Sequence, residues 1–243
     1  MTNIQLYTVD HRYPARTKDG GIVRSLIVDR DCFSPNLTYA DMCAQYAVWQ
    51  GLVLAADANS IVGFQGYRKH LDFRPGATVK GDWVDMTMAE FKAYQEWQKH
   101  YAAPNIEFDL RDADILTAPP FDVSYNTNIE EDFKLSASAT DWEHMKKTML
   151  RFGDFDFSIK YVVGYCNIVT TVDVFNKWMT LWNMVRAYLE RSMFYPCPDP
   201  GPRPDIYLPR RMAFLSERIF SIWLASSGLK AQQLPLLVCW EYK

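Results

Sequence analysis

Three groupings of residues have types and spacing suited to chemistry. In Gly63-Phe64-Gln65-Gly66-Tyr67-Arg68-Lys69 two adjacent cations directly follow a short apolar run. Arginine offers paired donors that match phosphate oxygens, and lysine adds a point charge beside them, so the pair suits a diphosphate clamp. An exposed basic turn without a ligand accounts equally for the same residues, and Tyr67 is either a contact for a ligand or a core residue. The second grouping is Phe214-Leu215-Ser216-Glu217-Arg218, where a carboxylate and a guanidinium sit among strongly apolar neighbours. Glu217 there is either half of an internal ion pair or a base aimed into a cleft, able to take a proton from a hydroxyl. The third is a pair of Asp-x-Asp spacings, Asp29/Asp31 and Asp154/Asp156, which suit Mg²⁺ or Mn²⁺ held against a diphosphate. With 29 acidic residues such pairs arise by chance, and Asp154 and Asp156 alternate with Phe155 and Phe157 as an ordinary strand end would. The four histidines (11, 70, 100 and 144) lack ligand spacing, and no Gly-rich phosphate loop, Gly-x-Ser-x-Gly or Cys/His dyad stands out.

The elements that must carry these residues follow from periodicity and punctuation. Residues 4–9, 22–28 and 60–64 read as strands, each followed by a polar turn: Asp10-His11-Arg12, Asp29-Arg30-Asp31 and Gly66-Tyr67-Arg68. Thr38 with Asp41, and Thr87 with Glu90, form capping boxes that open helices ending near Gly51 and His100. A strand is expected over 113–118, a polar, acidic loop over 121–140, a helix over 141–152, a strand region over 159–169 and a long amphipathic helix over 171–192. Six prolines between Tyr195 and Pro209 make a rigid connector. Met212, Leu215, Ile219 and Ile222 form one apolar stripe between Pro209 and Gly228, which predicts a buried helix over 211–224, with Glu217 off the stripe. Residues 234–240 would add an edge strand. Alternating strands and helices predict an α/β fold with a largely parallel sheet, and such sheets bind ligands beyond the carboxyl ends of their strands, where the three polar turns would converge.

Bulk properties narrow the function classes. Hydrophobic residues make up 49% of the 243, enough for a sizeable core. A net charge of −3 argues against a general binder of nucleic acid or anionic membranes. Five scattered cysteines without metal spacing read as reduced thiols of a cytoplasmic protein. Neither a signal peptide nor an apolar run long enough to span a membrane is visible, which leaves peripheral association as the only membrane role expected.

Several of these segments together resemble one family. Phe214-Leu215-Ser216-Glu217-Arg218, followed by an apolar helix ending in Trp223-Leu224, resembles the C-terminal signature of a prokaryotic glycosyltransferase family of capsular polysaccharide synthesis proteins, whose domain long had no assigned function. Residues 63–69 resemble its Gly-Leu-Cys-His-Tyr-Arg-Arg motif, with Gly66 in place of the His and Lys69 in place of the second Arg. Asn36, Tyr39, Tyr46 and Trp49 fall where the family has an Asn, a Tyr and a Tyr-Trp-x-Trp-like run, and Asp10-His11-Arg12 is similar to its Thr-His-Lys. Asp114-Ile115-Leu116 resembles an Asp-Ile-x-x-Pro segment; Thr140-Asp141-Trp142 resembles a His-Asp-Trp, with Thr140 replacing the His; and Gly164-Tyr165-Cys166-Asn167-Ile168 stands where relatives have an Asn-Met-Phe-like segment. If that His has a chemical role in relatives, this chain either lacks it or supplies it from elsewhere, with His70 a candidate stand-in.

The resemblance implies a single GT-A-like, Rossmann-like domain over residues 1–243, with a central, mostly parallel sheet flanked by helices. It implies a cytoplasmic, nucleotide-sugar-dependent hexosyl- or pentosyltransferase acting on a glycan acceptor in capsule or O-antigen-type synthesis, with galactofuranose one possible sugar. Transfer to modified phage DNA and a non-catalytic nucleotide-sugar-binding relative are the alternatives. Glu217 is the expected base, with Asp141 its rival, and His11, Tyr67, Arg68, Lys69, Asn167 and Arg218 are the expected donor contacts. Because cations rather than carboxylates follow the strand at 60–64, a divalent metal (Mg²⁺ or Mn²⁺) is weakly disfavoured, with Asp29 and Asp31 the candidate ligands if one binds.

Overall fold

The computed structural model describes residues 2–10, 19–27, 41–52, 60–164, 166–192 and 197–241. His11, Arg12, Asp29, Arg30, Asp31, Asn36, Thr38, Tyr39 and Tyr165 lie outside the described residues, so the N-terminal donor contact and both candidate metal ligands are not placed.

Strands β1 (Ile4–Asp10), β2 (Val23–Ile27) and β3 (Ile61–Gly66) run parallel, with Val9 opposite Gly66 and Asp10 opposite Ile27. Their carboxyl ends therefore lie together, as the polar turns after them led one to expect. From β3 outward the pairing changes. Gly66 pairs with Lys69 across the two-residue Tyr67-Arg68 turn, so β4 (Lys69–Leu71) returns antiparallel. The path β6 (Ile115–Thr117), β9 (Ile168–Thr171), β3, β4, β11 (Leu236–Val238) is antiparallel at every step. Parallel pairings of β5 (Val84–Asp85) with β11 and β10 (Ala231–Gln233) with β6 complete a nine-stranded mixed sheet. A mostly parallel sheet is thus corrected to one with an antiparallel spine. The cause is local: two residues join strands only as an antiparallel hairpin, whereas a parallel neighbour needs a long crossover. The short pair β7 (Phe121–Asp122) and β8 (Tyr161–Val162) stands apart.

Both faces of the sheet are buried, which explains its near-continuous apolar runs. Tyr7, Val9, Val62 and Phe64 pack with Phe175, Trp178 and Trp182 of α6 (Val172–Ser192) and with Leu215, Ile219 and Phe220 of α8 (Arg211–Ser226). Ile4, Leu6 and Ile61 alternate to the other face, against Ala102 and Ile106 beside α2 (Met88–Tyr101) and in α3 (Ala103–Asp109). At Gly63 a Cβ would come within 2.5 Å of Leu6 Cδ2 and 2.8 Å of Val169 Cγ2, so glycine is what lets β1 and β9 flank β3 closely.

Helix starts and stops follow the sequence closely where capping is strong. Thr87 and Glu90 form the reciprocal box that opens α2. Gly228, at φ +71°, follows the end of α8. The described helix α1 (Met42–Ala47) continues as one π turn, Val48–Leu52, and breaks at Gly51 with φ 116°. Three other expectations change. The presumed loop 121–140 contains α4 (Ile129–Ser136), which Asn128 caps by accepting from the Glu131 amide. The expected edge strand at 234–240 is an interior strand between β4 and β5. Part of the proline-rich connector coils into α7 (Pro204–Tyr207). The helix expected at 141–152 is α5 (Ala139–Met149), capped by Ser138.

Candidate active site

The β3–β4 turn is held from both sides. The Tyr67 amide donates to the Val9 carbonyl at 3.1 Å and the Cys239 amide donates to the Arg68 carbonyl at 3.0 Å. Beneath it, a buried amide pair ties β3 to α2. Gln65 Nε2 donates to Gln98 Oε1 at 2.9 Å, and Gln98 Nε2 donates back at 3.0 Å. The backbone that presents Arg68 and Lys69 is therefore fixed. Both side chains are partly exposed, and no carboxylate pairs with either among the described residues. Their guanidinium and ammonium groups lie over the Trp240 ring, 5.4 and 5.9 Å from its centroid. Two cations on a held turn, without a carboxylate partner among the described residues, form an anion site in waiting at the carboxyl end of a central strand.

His70 alternates to the opposite side of β4 from Lys69. It is fully buried with its ring edge-on to Phe91, and burial pushes its pKa down to about 3. It is a neutral core histidine, so the expectation that it stands in for the His replaced by Gly66 is corrected.

β9 runs antiparallel to β3, with Phe64 opposite Ile168, so its entrance brings Cys166 and Asn167 to the same end of the sheet. Asn167 is 3% exposed; its Nδ2 donates to Cys166 Sγ at 3.3 Å, while its Oδ1 has no hydrogen-bond partner among the described residues. Burial, then the negative charges of Asp41 and Glu217, push the Cys166 thiol up, and the positive charge of Lys69 opposes them. Cys166 is thereby a protonated thiol. The charges of the basic turn, the start of α1 and the helix bearing Glu217 all bear on this thiol.

Glu217 sits two turns into α8. The helix is tied down around it: Trp182 Nε1 donates to Ser216 Oγ at 2.8 Å, Ser221 Oγ donates to the Glu217 carbonyl at 2.8 Å, and the Val163 amide donates to Ser221 Oγ at 2.9 Å. The Glu217 side chain keeps 33% exposure and accepts from Arg218 Nη1 at 2.8 Å. Arg218 Nη2 donates to Asp132 on α4 at 3.0 Å, and its guanidinium lies 5.6 Å from the Phe133 ring centroid. Arg218, expected on the donor, thus has both terminal nitrogens engaged by carboxylates.

Asp141 is placed differently. It is 1% exposed in the first turn of α5. Arg211 Nε and Nη2 hold its two oxygens at 2.8 and 2.6 Å, and the Tyr207 hydroxyl donates to it at 2.5 Å. Burial opposes the Arg211 charge, but the Asp141 bonds outweigh this and keep the guanidinium charged. Burial and the Asp141 charge push the Tyr207 hydroxyl well above its usual range, so it remains a donor. This carboxylate pins α5 to α7 and the start of α8.

Of the Asp-x-Asp pairs, Asp156 accepts from Ser158 N and Oγ at 2.8 and 2.6 Å, a local turn, and Asp154 lines a shallow cleft between the 152–155 segment, α6 and the end of α8. Among the described residues no group of three or more His, Cys, Asp and Glu side chains is arranged to hold a metal. The residues that the sequence alone did not single out are Asp41, Asp132, Cys166 and Trp240. Asp41 was read as a helix cap, Asp132 as part of a loop and Trp240 as part of an edge strand.

Comparison with known proteins agrees with this architecture. Residues 31–228 match the family described as domain of unknown function DUF4422. The apo structure of the bifunctional glycosyltransferase WbbM superposes on 98% of this chain with a TM-score of 0.71, at 19% sequence identity. This chain covers 46% of that structure's chain, less than half its length. At that identity the likeness establishes a shared fold. No curated protein matches the sequence. No described helix is long and apolar enough to cross a membrane.

Proposed function

The chain belongs to the DUF4422 family, and on that premise we propose that it is a glycosyltransferase that moves a sugar from a nucleotide-sugar donor to a hydroxyl of a glycan acceptor. The observation that carries this reading is the pair of cations Arg68 and Lys69, without a carboxylate partner among the described residues, on the turn at the carboxyl end of β3, the end of the sheet where Asn167 leads into β9. The shared fold with a glycosyltransferase supports it.

In this scheme the diphosphate of the donor lies on Arg68 and Lys69, whose charges grow in value as the bridging oxygen becomes anionic on bond cleavage. Tyr67 lines the same turn, and Asn167 Oδ1, without a partner among the described residues, accepts from a donor hydroxyl. Glu217 takes the proton from the acceptor hydroxyl as its oxygen attacks the anomeric carbon, and the nucleoside diphosphate departs. Arg218 acts through Glu217, orienting its carboxylate while Asp132 holds the guanidinium from the other side. His11 remains a proposed donor contact. Surface-polysaccharide synthesis, with a hexose or pentose such as galactofuranose, is the biological setting this reading extends to.

The test is incubation of the protein with a panel of uridine, guanosine, thymidine and cytidine sugar nucleotides, with and without glycan acceptors. Release of the nucleotide leaving group, accelerated by an acceptor, is the expected result. If no nucleotide sugar binds or turns over, the reading fails, and a non-catalytic role takes its place.

A further inference from the structure

β11 ends on the same side of the sheet as β3, because it runs antiparallel to β4, which runs antiparallel to β3. Two residues beyond it stands Trp240, 48% exposed. Its Nε1–H donates to Asp85 Oδ1 on β5 at 2.8 Å. Trp83, 44% exposed, meets it at a centroid distance of 6.1 Å and an interplanar angle of 81°. The segment is anchored before and after: Met86 N donates to the Val238 carbonyl at 2.9 Å and Met88 N donates to Glu241 at 3.3 Å. Two large rings held half in water, at right angles, form a rigid corner. Ring–ring contact alone would favour burying them further, since exposed indole surface is unfavourable in water. Arg68 and Lys69 lie over the Trp240 ring, so the corner adjoins the basic turn.

We infer that the Trp83–Trp240 corner is the acceptor subsite, a stacking platform for one sugar ring of the acceptor glycan. The inference rests on the proposed transferase reading, because it takes Arg68 and Lys69 as the diphosphate site. Ligands of such folds bind beyond the carboxyl ends of the parallel strands, which places the nucleoside over β1 and β2. The indole corner lies on the other flank of the β3–β4 turn, on β11 and β5. A sugar ring has an apolar C–H face and a polar rim. Its polarised C–H bonds meet the electron-rich face of Trp240, its edge meets Trp83, and its rim remains in water. Rigid rings with only two side-chain torsions provide this contact with little ordering entropy. The adjacent cations favour an acceptor residue that carries a carboxylate or phosphate. Trp83 lies inside the stretch 31–228 that matches the family, and Trp240 follows it.

The experiment is saturation-transfer NMR with methyl glycosides as probes: the β-galactopyranoside, β-galactofuranoside, α-mannopyranoside, α-rhamnopyranoside and β-glucuronide. Uridine, guanosine and thymidine diphosphates are titrated in parallel. In the wild-type protein at least one methyl glycoside should receive saturation on its ring C–H protons. Trp240→Leu and Trp83→Leu should each weaken that glycoside about tenfold, the order of a lost aromatic contact. Trp240→Phe should recover part of the loss, and nucleoside diphosphate affinity should be unchanged in Trp83→Leu, whose ring meets Trp240 and not the cations. Absence of any glycoside binding to wild type, or undiminished binding in Trp240→Leu, overturns the inference. Loss of nucleoside diphosphate affinity in Trp83→Leu also overturns it, by placing the base on the indoles. Failure of the transferase reading has a different signature: no nucleoside diphosphate binds the wild-type protein.

Discussion

Glu217 and Asp141 are both carboxylates on helices, both next to arginine, and both rivals for the catalytic base; their amide variants should behave in opposite ways. Glu217→Gln keeps shape and most hydrogen bonding but cannot take a proton. The Glu217 side chain is 33% exposed and bonded to one Arg218 nitrogen, while Arg218 retains Asp132. A pair that open to water is worth about 0–1 kcal/mol. For a chain of this size that is a melting shift of at most about 4 °C. Removing a positioned base should lower turnover by roughly 10²–10⁴. Asp141→Asn acts on side chains 2% and 15% exposed, with two bonds from Arg211 and one from Tyr207. Leaving Arg211 buried without its carboxylate costs about 3–5 kcal/mol. At about 2–4 °C per kcal/mol the melting temperature falls by roughly 6–20 °C. The assays are calorimetric melting and nucleoside diphosphate release, the latter run well below the variant's melting point, where folded Asp141→Asn should retain turnover. The reasoning is refuted if Asp141→Asn melts normally yet is inactive, which moves the base to Asp141, or if Glu217→Gln turns over as wild type, which removes Glu217 as the base.

Replacing Arg68 with Ala should weaken nucleoside diphosphate binding by about 1.5–3 kcal/mol, or roughly 10–150-fold in Kd, by calorimetry; unchanged affinity with the fold intact would remove the turn from the donor site. His70 has a folded pKa of about 3 against an ordinary value of 6.5, so the unfolded chain binds the extra proton first as pH falls. Its contribution is therefore full above pH 6.5 and declines below it by about 1.4 kcal/mol per pH unit until about pH 3. Urea midpoints at pH 7 and pH 5 should show a loss about 2 kcal/mol greater for wild type than for His70→Leu, and equal losses would contradict the buried, neutral assignment. Because cations stand at the end of β3, turnover should persist in EDTA; if EDTA abolishes it and Mn²⁺ or Mg²⁺ restores it, Asp29 and Asp31 become the ligands to replace first.

Local signals in the sequence were strong enough to place most of the fold's parts. The Thr87–Glu90 box, Gly228 after α8 and the Met212-Leu215-Ile219-Ile222 stripe each follow from short-range geometry, and each stands where periodicity and capping put it. The basic turn was legible for the same reason: an apolar strand followed by Gly66-Tyr67-Arg68-Lys69 needs no distant partner to be recognised. What the sequence did not determine is which way strands pair and which charges neutralise one another. The return of β4 after two residues is local, but the insertion of β11 between β4 and β5 depends on hydrogen bonds between segments more than 150 residues apart. The same holds for the carboxylates. Asp141 and Glu217 each have an arginine within reach, but Arg211 is 70 residues from Asp141, and Asp132 is 86 residues from Arg218. Only the packing of α4, α5, α7 and α8 buries Asp141 in a closed network and leaves Glu217 open at the sheet's end. Burial and counter-charge, the two quantities that separate an anchoring acid from a base, are properties of the assembled tertiary structure.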